Sequence, residues 1–261
     1  MVVLAALLAA DVAGVQLFAD ANAAYLSGDV PRAVAAYEAL VSEGIASTEL
    51  ETNLGAALLR QGKRGLAVLH FERALFLDPG DDDARADLIE VRRGNVDRLE
   101  GEAEESGSET VARLLAPLPG SAAALALIAL WALGWMLLAI RLLRRGPRWT
   151  GVAAAPCFAG ALFCALVATG AAAGRGLAMR RAVVVAPAVP AREGPGERSG
   201  SRFEIHEGTT VAIEDEESGF RRVKLANGLT GWVPAGALEL VVPPGWAGRP
   251  VPAVSPRAAR P

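Results

Sequence analysis

The residues able to do chemistry in this chain are few. Its two histidines are His70 and His206, and its two cysteines are Cys157 and Cys164. A catalytic pair needs a nucleophile or base held near a group that orients it, and no spacing in the sequence suggests such a pair. Both cysteines fall inside one apolar run, where a disulfide or metal site would be unusual, and they read as small packing residues. His70 lies in a helical stretch and His206 just before a turn, so both read as ordinary surface or core residues. Asp81-Asp82-Asp83 lacks the glycine and terminal glutamate of a calcium loop and stands where a helix start needs acceptors. Gly174-Arg175-Gly176 follows an apolar helix and no strand, which excludes a phosphate-binding loop. The expectation is a non-enzymatic chain with no catalytic, cofactor or metal site.

The elements must then explain the protein. With 261 residues there is room for one or two ordinary domains, and 52% hydrophobic content is high for a soluble chain, so membrane segments are expected. A net charge of −3 supplies no basic field for nucleic acid. Residues 1–16 open with an uncharged apolar run, Met1 to Ala10, that ends at Asp11; it is signal-like and too short to cross a bilayer.

From residue 17 to 93 the pattern is helical, with breaks at Gly28-Asp29, Glu43-Gly44, Gln61-Gly62-Lys63 and Pro79-Gly80. A shift of 34 residues aligns Gly28 with Gly62, Ala33 with Ala67 and Tyr37 with Phe71. Leu54-Gly55, Leu58, Ala67, Phe71, Ala74 and Pro79 then fall at tetratricopeptide-repeat spacings, with Leu58 replacing the usual aromatic. The first copy is weaker, having Asp20-Ala21 and Ile45 where the second has Leu54-Gly55 and Pro79. Asp82 to Arg93 reads as one more helix covering the open end of the stack.

Residues 94–120 form an acidic linker. Residues 121–143 and 151–174 are each apolar and long enough to cross a hydrocarbon core as a helix. Arg141, Arg144, Arg145 and Arg148 crowd their connection, which predicts a cytoplasmic connection with both soluble parts outside, although Arg175, Arg180 and Arg181 oppose this. Trp149 suits an interfacial belt, and Gly170 and Gly174 form a small-xxx-small pair.

Residues 182–241 alternate like short half-buried strands at 182–185, 210–213, 220–225, 230–234 and 237–241, with Gly194 to Ser201 as a loop and Asn227-Gly228 as a hairpin turn. About five strands suit a small closed barrel better than an open sheet. Residues 242–261 read as a disordered proline-rich tail. The fold class is therefore multidomain α plus β: an all-α tetratricopeptide-like repeat, two transmembrane helices and a small all-β barrel.

Gly208-Thr209-Thr210-Val211, Gly219-Phe220-Arg221-Arg222-Val223 and Asn227-Gly228 to Gly231-Trp232-Val233-Pro234 resemble a bacterial SH3-like domain. In relatives the counterpart of Trp232 lies near an aromatic surface; in so small a barrel its ring can equally fill the core. The whole order of parts resembles BatE-type proteins of bacterial aerotolerance operons. That resemblance implies an envelope protein of the inner membrane, its repeats and barrel on the periplasmic side, working beside von Willebrand A-type proteins and a MoxR-type ATPase.

Candidate contact residues are Asn22, Asn53 and Arg60 on the repeats' concave face, with Trp232 on the barrel. Asn22 and Asn53 match the asparagines of repeat proteins that clamp a terminal carboxylate. Asp83 and Asp87, however, stand where that family has cations and would repel such a ligand. The expected function is a membrane-anchored scaffold that binds proteins. Its rivals are a receptor whose barrel binds cell-wall peptides and a regulatory subunit of an ATPase complex.

Overall fold

The computed structural model describes residues 2–95, 97, 120–143, 148–244 and 246. Among them are seven α-helices and one antiparallel sheet of seven strands. They fall into two compact units: α1–α5 together with the sheet, and the pair α6 and α7.

The helices of the first unit are α1 (Val2–Leu26), α2 (Val30–Ser42), α3 (Thr48–Arg60), α4 (Arg64–Leu77) and α5 (Asp82–Arg93). Local signals set most of their starts. Asp29 accepts from the Arg32 N–H, Ser47 from Leu50, and Asp81 from Asp83 and Ala84, which satisfies amides that the first helical turn leaves unpaired. The glycine breaks read from the sequence are turns at positive φ, at Gly28, Gly44 and Gly62. The apolar start expected to stand apart as residues 1–16 is continuous with the rest of α1.

Successive helices pair into two hairpins, α1 with α2 and α3 with α4, and α5 covers α4. Their core is built on Tyr37, Leu40, Leu50, Leu54, Leu58 and Phe71, all fully buried. Gly55 is required here, because a Cβ on it would lie 2.8 Å from the Phe71 ring.

The strands are β1 (Arg181–Val184), β2 (Ala188–Arg192), β3 (Ser201–His206), β4 (Thr210–Glu217), β5 (Phe220–Lys224), β6 (Thr230–Pro234) and β7 (Leu238–Leu240), in the order β3-β2-β6-β5-β4-β1-β7. The expected five strands of a closed barrel are thus seven strands in a ladder whose ends are β3 and β7. The two unforeseen strands are β2, which carries Pro190, and its neighbour β3. Proline is tolerated here because its missing N–H coincides with a position that needs no ladder bond. The sheet curls round its own core, since Ala182, Ala191, Ile205, Val211, Val223, Val233 and Leu238, from seven different strands, form one cluster.

Strand β1 joins the two layers. Ala182 and Val184 point into the sheet's core while Val183 packs among the helices, as the two-residue period of a strand requires. Val241 and Val242 also belong to the helical core, and Trp246 packs against Phe76 at 6.0 Å. The tail expected to be disordered from residue 242 therefore begins inside the core; residues 245 and 247–261 lie outside the described ones, as does most of the acidic linker.

The second unit contains α6 (Gly120–Leu143) and α7 (Arg148–Ala178). Each is long and apolar enough to cross a membrane, over Leu125–Leu143 and Val152–Gly170. They run antiparallel: a Cβ at Gly134 would lie 2.9 Å from Phe158, and one at Gly160 would lie 3.0 Å from Leu130. Close approach thus occurs at Gly134 and Gly160. Gly170, of the expected small-xxx-small pair, has nothing within 4 Å among the described residues.

Candidate functional site

Three of the four candidate contact residues come together. Asn22 on α1 and Asn53 on α3 are half-buried and bonded to each other, with Asn53 Nδ2 donating to Asn22 Oδ1 at 3.1 Å. The Tyr37 hydroxyl donates to the same oxygen at 2.6 Å. Burial, with Tyr25 nearby, pushes the Tyr37 hydroxyl above its ordinary pKa, so it stays a proton donor. Two turns further along α3, the exposed Arg60 guanidinium lies 4.3 Å over the Tyr25 ring. With Asn22 Oδ1 occupied, Asn22 Nδ2 and Asn53 Oδ1 have no partner among the described residues.

Trp232 is not part of this group, and it is not a core residue. On β6 the buried positions are Gly231 and Val233, so Trp232 lies on the other face and is half-buried. Its cross-strand neighbours are Arg192 on β2 and Arg222 on β5. Of these, Arg192 holds the β2–β3 loop through the Glu197 and Ser199 carbonyls, and Arg222 pairs with Glu214 at 3.4 Å.

The larger polar constellation, unforeseen from the sequence, lies where the sheet meets α4 and α5. Glu72 on α4 is buried and bonds Arg92 of α5, Arg181 of β1 at 3.2 Å and Thr210 of β4 at 3.4 Å. Burial alone would raise its pKa; the two guanidiniums and the Thr210 hydroxyl outweigh this and hold the carboxyl below the usual range. Next to it Arg73 donates to the carbonyls of Leu240 and Val241 at 3.1 and 3.0 Å, with Trp246 beside its guanidinium.

The turn between β3 and β4 is gripped residue by residue. Asp97 takes three bonds: the His206 N–H at 2.6 Å, the His206 ring at 2.8 Å and the Thr209 hydroxyl at 3.0 Å. Burial pushes the Asp97 carboxyl up, but these donors prevail and hold it low. Asn95 donates to the Gly208 carbonyl at 3.2 Å. Glu207 accepts from the Gly65 N–H at 2.5 Å. That last bond completes α4, whose N-cap position is Lys63 and which has no side-chain cap of its own. The missing acceptor arrives from the sheet, at the positive end of the helix dipole.

Two of the remaining candidates for chemistry have structural partners. His70 pairs with the fully buried Glu51 at 2.6 Å, and Cys157 Sγ contacts the Ala153 carbonyl at 3.3 Å. One signal for the docked sheet was present in the sequence. Ala182-Val183-Val184 is a continuous apolar run where a half-exposed strand would alternate, and α4 carries Glu72 and Arg73 between residues that must be buried.

The chain matches no protein-family model, no curated protein and no solved structure.

Proposed function

We propose that this chain is a membrane-anchored adaptor of the bacterial envelope, a BatE-like protein in which a tetratricopeptide-like helical layer holds a protein partner and an SH3-like sheet is docked behind it. The observation that carries this reading is the Asn22–Asn53 pair. It leaves one amide donor on α1 and one amide acceptor on α3 without a partner among the described residues, groups that the C=O and N–H of an extended peptide could satisfy. Arg60, two turns further along α3, favours an acidic residue on that peptide. The sheet draws its contacts from α4 and α5, so it leaves the α1 and α3 residues available.

The shared core supports a location. Residues before α6 and after α7 pack into one cluster, Leu58 and Phe71 with Val183 and Val241. If α6 and α7 cross a membrane, both ends must return to one side, which two spans do and an odd number would not. The arginines of the connection favour the cytoplasm for the hairpin tip, hence the periplasm for the folded unit. In this reading von Willebrand A-type proteins and a MoxR-type ATPase are the partners to test first, and the chain serves them without catalysis.

The experiment places single cysteines at the exposed positions Ser27 and Glu216 in a Cys157→Ala/Cys164→Ala background and labels intact cells with a membrane-impermeant maleimide. Labelling of both is expected; labelling of neither moves the partner to the cytoplasm, and labelling of one alone sinks the adaptor architecture. Copurification of a von Willebrand A-type protein should then fall about tenfold in Asn22→Ala/Asn53→Ala. A second reading, a cell-wall receptor, is favoured by Trp232 on the outer face between two arginines. Binding to isolated wall that disappears in Trp232→Ala would select it.

A further inference from the structure

Halfway along α6, Trp131, Gly134 and Trp135 share one side of the helix. Phe158 of α7 rests over Gly134 and meets both indoles edge-on, with ring centroids at 5.5 and 5.8 Å, while the two tryptophans are 6.1 Å apart. Even so, Trp131 and Trp135 remain 53% and 52% exposed. The apolar span is Leu125–Leu143, so its midpoint is Gly134, and both rings lie at mid-span.

That depth is unusual for tryptophan. The ring normally lies at the membrane interface, where its N–H reaches water or headgroups. At mid-span neither is available, and a donor facing hydrocarbon goes unsatisfied. Among the described residues, the hydrogen bonds made by side chains of α6 and α7 are Cys157 to Ala153 and Thr169 to Ala165, and neither involves an indole.

A second copy of this chain lacks what the indoles need. Around mid-span α6 reads Ile128-Ala-Leu-Trp-Ala-Leu-Gly-Trp-Met-Leu-Leu-Ala-Ile140, and α7 reads Cys157-Phe-Ala-Gly-Ala-Leu-Phe-Cys-Ala-Leu166; no side-chain oxygen occurs in either. The nearest hydroxyl, Thr169, lies by the end of its span and is already bonded.

We propose that the Trp131–Trp135 face of α6 is the docking surface for a transmembrane helix of another protein, one that presents a hydrogen-bond acceptor such as Asn, Gln, Ser or Thr at the middle of its span. The inference rests on the reading that α6 and α7 cross a membrane. The two indole donors, one helical turn apart, receive the acceptor, and the Phe158 ring behind them fixes their orientation. Discrimination follows from cost: an all-apolar helix leaves two N–H groups unpaired, and a helix with its polar residue near one end misses them in depth.

The test uses the full chain in phosphatidylcholine vesicles, labelled with a donor dye at Glu216→Cys in the Cys157→Ala/Cys164→Ala background. Acceptor-labelled synthetic peptides of about 20 Leu and Ala residues carry one Asn at the centre, one Asn near an end, or none. Energy transfer should report about threefold to tenfold tighter association for the central-Asn peptide than for the other two. Trp131→Phe/Trp135→Phe, which keeps the rings and removes the donors, should abolish that preference. No preference for central Asn, a preference surviving the double substitution, or tryptophan-dependent pairing of the chain with itself would each overturn the proposal. Brominated lipids test the underlying reading separately, using the emission difference between the parent and the double variant. Quenching strongest from mid-chain bromines upholds the span, so that a missing peptide preference then defeats the docking alone; quenching strongest near the headgroups removes both.

Discussion

Glu72 shows how one buried carboxylate can depend on residues from both ends of a chain. Glu72→Ala removes the buried carboxylate that Arg92 and Arg181 both contact and should cost about 1–3 kcal/mol, read by denaturant unfolding in detergent. The pH dependence follows from Glu72 and Asp97, both of whose carboxyls are held low in the folded chain. A depressed folded pKa gives stability that is complete above the unfolded value. It is lost as the pH falls through the folded one, because the unfolded chain binds the proton first. The folded unit should therefore hold its melting temperature down to about pH 4.5 and lose it progressively below about pH 4. Glu72→Gln/Asp97→Asn should flatten that acid limb, and an unchanged limb would assign acid sensitivity to other carboxylates. At the Asn22–Asn53 pair, Tyr37→Phe removes a donor from Asn22 and should cost about 1 kcal/mol.

Among the elements, α4 is the one that its own sequence cannot finish. Residues 67–74 are all buried, because α3, α5 and β1 enclose the helix, and its first turn borrows Glu207 as a cap. Glu207→Ala should lower stability by about 1 kcal/mol, with early hydrogen exchange concentrated in the first turn of α4. Gly65→Ala is the sharper change. A Cβ there would lie 2.7 Å from Glu207 Cγ and 2.8 Å from the Val184 carbonyl, part of the strand backbone. The sheet must move away or the helix must shift, at a cost of about 1–3 kcal/mol. Exposure of Trp246 to a soluble quencher would separate these responses, because Trp246 packs on α4 through Phe76.

For the whole molecule, the consequence of one shared core is cooperativity. The helical layer and the sheet should unfold in a single transition, with far-ultraviolet dichroism, dominated by helices, and Trp246 emission tracing the same curve. Glu72→Gln should shift both probes together. Two separated transitions would mean that the layers are only loosely associated.

The sequence alone determined whatever depends on local periodicity and turn chemistry. Four of the five helices of the folded unit end at glycine or proline breaks visible in the residues, α5 matches Asp82–Arg93 to the residue, and the apolar spans announce themselves by length. The sequence singled out Asn22 and Asn53 as first-helix side chains on one face, and the bond between them came only with the structure. Only the tertiary structure decided that Trp232 faces outward, that the chain beyond residue 241 begins inside a core, and that the sheet is bound to the helices. The last two rest on contacts between residues more than 100 positions apart, such as Arg73 with Val241, Glu72 with Arg181 and Asp97 with His206. Neither period nor propensity encodes which distant carboxylate will meet which arginine, because that choice is made by the geometry of packing once both elements exist.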